Sequence, residues 1–277
     1  MRKAFERAPL RFVGVVHLPA LPGDPAHDGR SFSELAQFAQ QDARTLAEGG
    51  VDAIIIENFG SAPFPKGDAS QRCPAHQAAF IGRLAGWCRE HFSLSVGVNC
   101  LRNDIFAALG IAAANELDFV RVNVHTGAYL SDQGVIEGEA YTSMRYRASL
   151  GARHIAVLAD VHVKHAVPLA PVGLREAARD TVERGLADAV IVTGSGTGEA
   201  VETSTLLEVA KAVPQVPVLL GSGLALDNVA QLASHAHGAI VGTALKKDGV
   251  LEEAVELDRV RAMAAALKQH LRPWPLR

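Results

Sequence analysis

Short β-rich runs alternate with longer helical patterns along the whole chain, and this alternation restricts the fold more than any other feature. The eight runs lie at 12–17, 52–57, 94–99, 118–123, 154–160, 188–193, 216–221 and 238–242. They contain almost no polar break, which is typical of parallel strands buried on both faces. The first helical pattern puts four residues on one face: Leu35, Phe38, Asp42 and Leu46. Eight strand and helix units in 277 residues fit one (β/α)8 barrel, which takes about 250 residues. We therefore predict an α/β fold, a single TIM-barrel domain over residues 1–277.

The predicted connections differ in length at the two ends of this barrel. Those from a helix to the next strand take only a few residues, whereas three from a strand to the next helix cover 18–32, 58–72 and 124–139. These three exceed the roughly 2–6 residues that are usual in α/β units, and loops of that size are generally functional. We expect the functional site at the carboxyl ends of the strands, where barrel enzymes hold their catalytic residues.

The loop at 124–139 contains three glycines, Gly127, Gly134 and Gly138, together with the aromatic residue Tyr129. Glycine permits backbone conformations that other residues rarely adopt. Two interpretations follow from this composition. The loop is either a partly mobile cover that closes over a ligand or an ordinary surface excursion.

Charge, hydropathy and cysteine spacing exclude several classes of function. The formal net charge is −3 and no block of lysine or arginine is present, so we expect no nucleic-acid partner. The longest mostly apolar stretch, 105–114, is shorter than the roughly 20 residues that cross a bilayer, and the start of the chain lacks the apolar run of a signal peptide. We expect a cytoplasmic protein without membrane insertion. Cys73, Cys88 and Cys100 lack CxxC spacing, which argues against a disulfide framework and a zinc site.

Glycine-bearing turns follow the last three predicted strands, in VIVTGSGTG, VPVLLGSGL and GAIVGTALK. Glycine lets the main chain approach an anion closely, and the N–H groups at a helix start favour negative charge. Barrels frequently bind phosphate beside their last two strands. We predict a phosphate site with these contributors: Ser195, Gly196, Ser222, Gly223, Gly242 and Thr243. The alternative is that the glycines serve only the sharp turns from strand to helix. Lys246, just beyond, either assists the phosphate or is solvated.

Polar residues at the end of the fourth run indicate a reactive site. Side chains alternate along a barrel strand, so residues of one parity face the same side. Arg121, Asn123 and His125 share one parity, opposite a row of valines. We expect all three to point into the barrel or its mouth, where they would need polar partners.

The fifth run continues into a second line of polar residues. Asp160, His162 and Lys164 share a parity if the extended conformation persists. A carboxylate can orient a histidine, and a nearby lysine can bind an oxyanion or, with a lowered pKa, act as a base or an imine-forming nucleophile. We predict that these residues face the reactive part of a ligand: Glu57, Asn99, Asn123, Asp160, His162 and Lys164. The alternative is a set of ion pairs within a polar barrel mouth.

Metal binding is the remaining chemistry to consider at these strand ends. Four residues could converge on an ion: His17, Glu57, Asp160 and His162. They come from three different strands without a local ligand motif, so we predict no metal site and no cofactor. Asn103 has the residue type and the position of a cap for the third helix.

Several blocks of the sequence, in their order and spacing, resemble the BtpA/SgcQ family over nearly the entire chain. The blocks are VGVVHLPALPGDP, DAIIIENFGSAPF, VGVNCLRND, FVRVNVHTGAYLSDQGVIEG, VLADVHVKHA, VTGSGTG, LGSGL and VGTALKKDG. The resemblance implies a barrel of the ribulose-phosphate-binding superfamily, in agreement with the phosphate turns. One branch of the family is named for a role in photosystem I biogenesis, and others are associated with sugar uptake or nucleoside metabolism. The resemblance implies no particular reaction.

These features together predict an enzyme that acts on a small phosphorylated sugar or nucleotide-like metabolite. Acid–base isomerisation, carbon–carbon cleavage and glycosidic-bond cleavage all fit the predicted residues. The alternative is a non-enzymatic factor, either for photosystem I assembly or for metabolite-sensing regulation, since a fold does not establish a reaction. A homo-oligomer is an expectation on general grounds alone.

Overall fold

The computed structural model describes Phe5, residues 10–194 and residues 201–274. Its strands are, in chain order, β1 (Phe12–His17), β2 (Ala53–Glu57), β3 (Ser95–Asn99), β4 (Phe119–Val122), β5 (Ala128–Ser131), β6 (Gly134–Glu137), β7 (Ala156–Val161), β8 (Ala166–Pro168), β9 (Ala189–Val192), β10 (Val218–Leu220) and β11 (Gly238–Val241). Eight of them form a closed parallel barrel in the order β1, β2, β3, β4, β7, β9, β10 and β11, and β11 pairs with β1. The predicted TIM barrel is confirmed.

Helices surround the barrel, and α1 begins and ends at clear local signals. They are α1 (Phe32–Gly49), α2 (Ala75–His91), α3 (Ile105–Ala114), α4 (Ala140–Ser149), α5 (Leu174–Arg179), α6 (Thr203–Ala212), α7 (Val229–Ala233) and α8 (Leu257–His270). Helix α1 starts with a capping box, in which Glu34 accepts from the Ser31 N–H at 2.8 Å and donates its own N–H to the Ser31 hydroxyl. It ends at Gly50, which has a φ of 94°. None of the described helices is both long enough and apolar enough to cross a membrane.

The cap of α3 is Asp104, so the prediction for Asn103 was wrong. The Asp104 carboxylate accepts from the Ala107 N–H at 2.9 Å. Asn103 instead pairs with the backbone of Val124, because its amide donates to the Val124 carbonyl at 2.9 Å and accepts from the Val124 N–H at 2.7 Å. Asn103 therefore fixes the exit of the chain from β4.

The core consists of two layers that follow from strand alternation. In β2, Ile54 and Ile56 pack against the helices, whereas Ile55 points into the barrel. The barrel interior also holds Phe119, whose ring occupies the space that a Cβ on Gly97 would need. Small and large residues therefore fit one another in neighbouring strands, and the barrel below its mouth is filled with side chains rather than open.

The loop at 124–139 forms a small sheet instead of an irregular excursion. Strands β5 and β6 make an antiparallel hairpin, and β5 also pairs with β8. Tyr129 and Ile136 pack beneath this sheet against Val124 and Val163. Two connections that are separate in the sequence, those after β4 and β7, are thus joined at the carboxyl end of the barrel. Whether the sheet moves as a cover remains a prediction.

Candidate active site

A cavity of about 230 Å³ opens at the carboxyl ends of the barrel strands. Charged and polar side chains line it: His17, Glu57, Arg121 and Lys164. The turns after β10 and β11, at 221–225 and 242–244, line the same cavity. Strand-end side chains and glycine turns therefore border one space, because parallel strands bring all of their carboxyl ends to the same side of a barrel.

Glu57 is held by neighbours on the adjacent strands. It lies in register with His17 on β1 and with Asn99 on β3, and the Asn99 amide donates to Glu57 Oε2 at 2.7 Å. Arg121 Nη1 lies 3.8 Å from the same oxygen. Burial alone would raise the pKa of Glu57, but the positive charges of Arg121 and Lys164 and the Asn99 bond hold this pKa below its ordinary value. Glu57 is therefore an ionised carboxylate at neutral pH.

Arg121 and Asp160 form a buried two-point ion pair beside Glu57. Arg121 donates from Nε to Asp160 Oδ1 and from Nη2 to Oδ2, both at 2.9 Å, and Asn123 Nδ2 donates to Oδ2 at 3.1 Å. Although burial disfavours the charge of Arg121, Asp160 and Glu57 raise its pKa. Arg121 and Asn123 face the barrel mouth, as the alternation of side chains along the fourth run predicted. Both oxygens of Asp160 are bound to these two side chains, which suits Asp160 to positioning rather than to proton transfer.

His17 is a neutral base at the end of β1. Burial lowers its pKa to about 4, and the negative charge of Glu57 only partly opposes this effect. No described residue makes a hydrogen bond to its buried Nδ1. The ring occupies the space where a Cβ of residue 242 would lie, so Gly242 is required sterically whether or not an anion binds there.

Lys164 lies at the edge of the cavity with its amine near the other charged groups. Burial lowers the pKa of Lys164, and the nearby Arg121 lowers it further, whereas Glu57 and Asp160 act in the opposite direction. The backbone of Lys164 is fixed, because the buried Arg102 donates from Nη2 to the Lys164 carbonyl at 2.6 Å. A lysine with a lowered pKa can exchange a proton more readily near neutral pH than an exposed lysine.

The turn after β10 is braced by Asn228, which the sequence did not single out. The Asn228 amide donates to the Gly223 carbonyl at 2.8 Å and accepts from the Ala225 N–H at 2.9 Å. Gly223 has a φ of 71°, a conformation that favours glycine. The hydroxyl of Ser222 is buried and has no hydrogen-bond partner in the described parts of the chain. An asparagine soon after a glycine turn was the signal that could have identified Asn228.

The other predicted phosphate contributors have different outcomes. Gly242 and Thr243 line the cavity beside the turn after β10. Ser195 and Gly196 lie outside the described residues. Lys246 is fully buried and donates to Asp42 at 2.6 Å, so it neither lines the cavity nor is solvated, and the expectation for it was wrong.

Two histidines depart from the predicted parity. His125 is buried against Gly185, to whose carbonyl its Nε2 donates at 2.8 Å, because the chain leaves β4 after Val122. His162 has a φ of 52°, so the extended conformation ends at Val161 and His162 does not join Asp160 and Lys164. Its ring lies edge-on to Tyr129, with the ring centroids 6.2 Å apart.

His17, Glu57, Asp160 and His162 therefore do not all converge on one point, because His162 points away from Asp160. Within residues 10–194 and 201–274, no group of three or more histidine, cysteine, aspartate or glutamate side chains is placed to share an ion. The three cysteines are buried and free. The cavity offers hydrogen bonds and ionisable groups as its means of acting on a ligand.

A closed parallel barrel with ionisable residues and glycine turns at its carboxyl end makes this protein a TIM barrel with a candidate active site at its mouth. Solved TIM barrels share the fold. Thiamine phosphate pyrophosphorylase from Pyrococcus furiosus matches with a TM-score of 0.59 and 14% identity over 96% of this chain and 100% of that chain. Phosphoribosyl anthranilate isomerase from Thermotoga maritima matches with a TM-score of 0.57 and 14% identity over 94% and 99%. At such identities the likeness shows the fold alone.

The chain belongs to the BtpA family, whose family model matches residues 9–269. An uncharacterized protein of Thermococcus kodakarensis is 45% identical over 96% of this chain and 97% of its own length. The photosystem I biogenesis protein BtpA of Synechocystis is 42% identical over 95% of this chain and 90% of its own length. The resemblance found in the sequence blocks is confirmed.

Proposed function

We propose that the cavity binds a small phosphorylated metabolite and that the protein is an enzyme that performs acid–base chemistry on it. One observation carries this proposal: a single cavity of about 230 Å³ is lined both by the two glycine turns and by His17, Glu57 and Lys164. A phosphate held at the turns would supply binding energy remote from the reacting atoms and would orient them.

The turns are suited to the anionic end of the ligand. The Ser222 hydroxyl is a buried donor without a partner among the described residues, and Asn228 holds the turn in one conformation. A preorganised turn does not need to be ordered when the ligand binds, so less binding energy is lost. Gly242 and Thr243 line the same cavity.

The ionisable residues of the cavity are suited to moving protons. Glu57 is an ionised carboxylate, His17 is neutral because its pKa is about 4, and Lys164 has a lowered pKa. Near neutral pH the unprotonated Glu57 and His17 can accept a proton and Lys164 can donate one, whereas Asn99, Asn123 and Asp160 would fix their orientation and charge. Isomerisation, carbon–carbon cleavage and glycosidic cleavage each require such a set. A catalytic role for His162 would require it to reach a ligand from outside this cavity.

A second candidate function is a metabolite-sensing or assembly factor. The 42% identical relative from Synechocystis is named a photosystem I biogenesis protein, which supports this candidate. Such a factor needs the anion turns but no turnover. The two functions therefore differ in whether a bound metabolite is converted.

The binding proposal can be tested by calorimetry with ribose 5-phosphate on the unaltered chain, Ser222→Asp and Ser222→Asn. The two variants differ mainly in charge. We expect Ser222→Asp to weaken binding at least about tenfold through repulsion of the phosphate, and Ser222→Asn to stay within about threefold. Circular dichroism checks that both variants are folded. Equal affinities for the two variants would place the anion elsewhere.

A further inference from the structure

A second cavity of about 550 Å³ adjoins the first. Lys164 lines both cavities. Gly221 lines the first and Thr193 the second, and the Thr193 methyl group packs so closely on Gly221 that a Cβ there would meet it at 2.8 Å. A ligand of moderate length can therefore extend from the glycine turns past Lys164 into the second cavity.

One wall of the second cavity is an apolar surface without a covering group among the described residues. Leu130 on β5 and Val167 on β8 lie opposite each other in the antiparallel pair and are 48% and 59% exposed. Val135 lies on the other side of Leu130, across from it on β6. Neighbouring exposed apolar side chains of this kind commonly mark a ligand or partner surface.

Unpartnered polar atoms are also found in this cavity. His162 Nε2 and Thr193 Oγ1 are both buried, and no described residue makes a hydrogen bond to either atom. Thr193 as a whole is only 8% exposed. A buried polar atom without a partner lowers stability, so a ligand that bonds to these atoms would gain affinity.

We propose that the second cavity holds a flat heteroaromatic ring at the other end of the phosphorylated ligand, so that the ligand class is a pentose phosphate bearing such a ring, as in a nucleoside monophosphate. The apolar faces of the ring cover Leu130 and Val167, and its polar edge meets His162 and Thr193. An aliphatic chain would leave those two polar atoms unpaired, and a second phosphate would find an apolar wall. This inference rests on the proposed function, because the phosphate must occupy the first cavity.

The test compares ribose 5-phosphate with AMP, GMP, CMP and UMP by calorimetry, with inorganic phosphate as a further probe. These ligands share the 5-phosphate and differ in the ring. We expect at least one of the four nucleotides to bind tenfold or more tightly than ribose 5-phosphate. Thr193→Val and Leu130→Ser should each reduce that advantage to threefold or less, while the affinity for ribose 5-phosphate stays unchanged. Leu150→Ser, at the similarly exposed leucine that follows α4, is the matched control and should preserve the advantage.

The outcomes separate the two proposals. Binding of ribose 5-phosphate without any gain from a ring overturns this inference and leaves the proposed function standing. An advantage that survives both Thr193→Val and Leu130→Ser also overturns it, since the ring would then lie elsewhere. Failure of all the phosphates to bind overturns the proposed function and this inference with it.

Discussion

At the scale of single residues, burial and neighbouring charges decide what each ionisable group at the barrel mouth can do. Asp160 and Glu57 are both carboxylates at strand ends, yet their surroundings differ. Asp160 is bound at both oxygens by Arg121 and Asn123. Glu57 has one close partner, Asn99, and lines the cavity. Proton transfer is therefore more readily assigned to Glu57 than to Asp160.

Glu57→Gln should abolish most turnover while leaving ligand affinity nearly intact. The amide preserves the size of the side chain but cannot accept a proton. Once a converted ligand is found, we expect kcat to fall at least about a hundredfold and KM to change less than about threefold. Glu90→Gln, the same change on the exposed face of α2, is the control for steady-state kinetics. Near-normal kcat in Glu57→Gln would transfer the acid–base role to His17 or Lys164.

The buried histidines should make the protein less stable in acid. Burial lowers the pKa of His125 to about 4, compared with an ordinary value of 6.5. The unfolded chain then binds more protons between these values, so stability present above pH 6.5 is lost as the pH falls towards 4. The shift corresponds to about 3 kcal/mol at most.

The measurement is urea unfolding of the unaltered chain and of His125→Gln from pH 7 to pH 4. The variant should show a shallower loss of unfolding free energy over this window, because it has one fewer buried histidine to protonate. His154→Gln, at an exposed position, should follow the unaltered chain. Identical slopes for His125→Gln and the unaltered chain would mean that His125 does not resist protonation in the folded state.

At the scale of elements, the sheet of β5, β6 and β8 is the part of the mouth most open to change on ligand binding. Its own core is small, with Tyr129, Ile136, Val124 and Val163, and its outer face is apolar and exposed. Elements with few buried contacts open locally at low free-energy cost. The sheet also contributes Leu130 and Ser131 to the second cavity.

Hydrogen exchange should therefore slow in β5 and β6 when a phosphorylated ligand binds. If the locally opened sheet cannot bind the ligand, a free ligand concentration of ten times the Kd slows amide exchange in the sheet by about tenfold. Mass spectrometry at short labelling times would follow β5, β6 and, as an internal control, α2, whose exchange should not change. Equal exchange of the hairpin with and without ligand would leave the sheet as a static wall.

At the scale of the whole molecule, one buried ion pair ties the first unit of the barrel to the last. Lys246, after β11, donates to Asp42 on α1 at 2.6 Å, and Asp42 also accepts from the Val255 N–H at 2.8 Å. Both side chains of the pair are essentially inaccessible to solvent. An exposed pair between Arg261 and Glu48 links α8 to the same helix at 3.1 Å.

Breaking the buried pair should destabilise the barrel far more than breaking the exposed one. Lys246→Met leaves the Asp42 charge buried without its partner, and we expect a loss of about 3–5 kcal/mol in unfolding free energy. Arg261→Met should cost no more than about 1 kcal/mol. Adding Asp42→Leu to Lys246→Met should recover part of the loss, although the Val255 N–H then lacks its acceptor. Denaturant unfolding measures all four chains, and similar losses in both single variants would contradict a special role for the buried pair.

Local patterns in the sequence were enough to predict the barrel and the end of it at which the candidate site lies. The patterns that predicted them are local: unbroken apolar strands, amphipathic helices and long loops on one side. The structure agrees with these patterns because the barrel repeats the same strand and helix unit eight times. Alternation along β4 likewise predicted that Arg121 and Asn123 face the mouth. These successes concern residues that are neighbours in one strand or helix.

Contacts between residues that are distant in the sequence could not be predicted in this way, because they depend on the tertiary structure. Lys246 pairs with Asp42, which lies 204 positions earlier in the sequence. The helical period placed Asp42 on an apolar helix face, but this period does not predict which residue Asp42 contacts. His162 does not point the same way as Asp160 and Lys164, because the backbone turns at His162 towards β8. Strand β8 pairs with β5, and β6, α4 and β7 separate these two strands in the sequence. Local patterns specify the direction in which a side chain points relative to its own element, whereas pairing between elements depends on how the closed barrel brings their ends together.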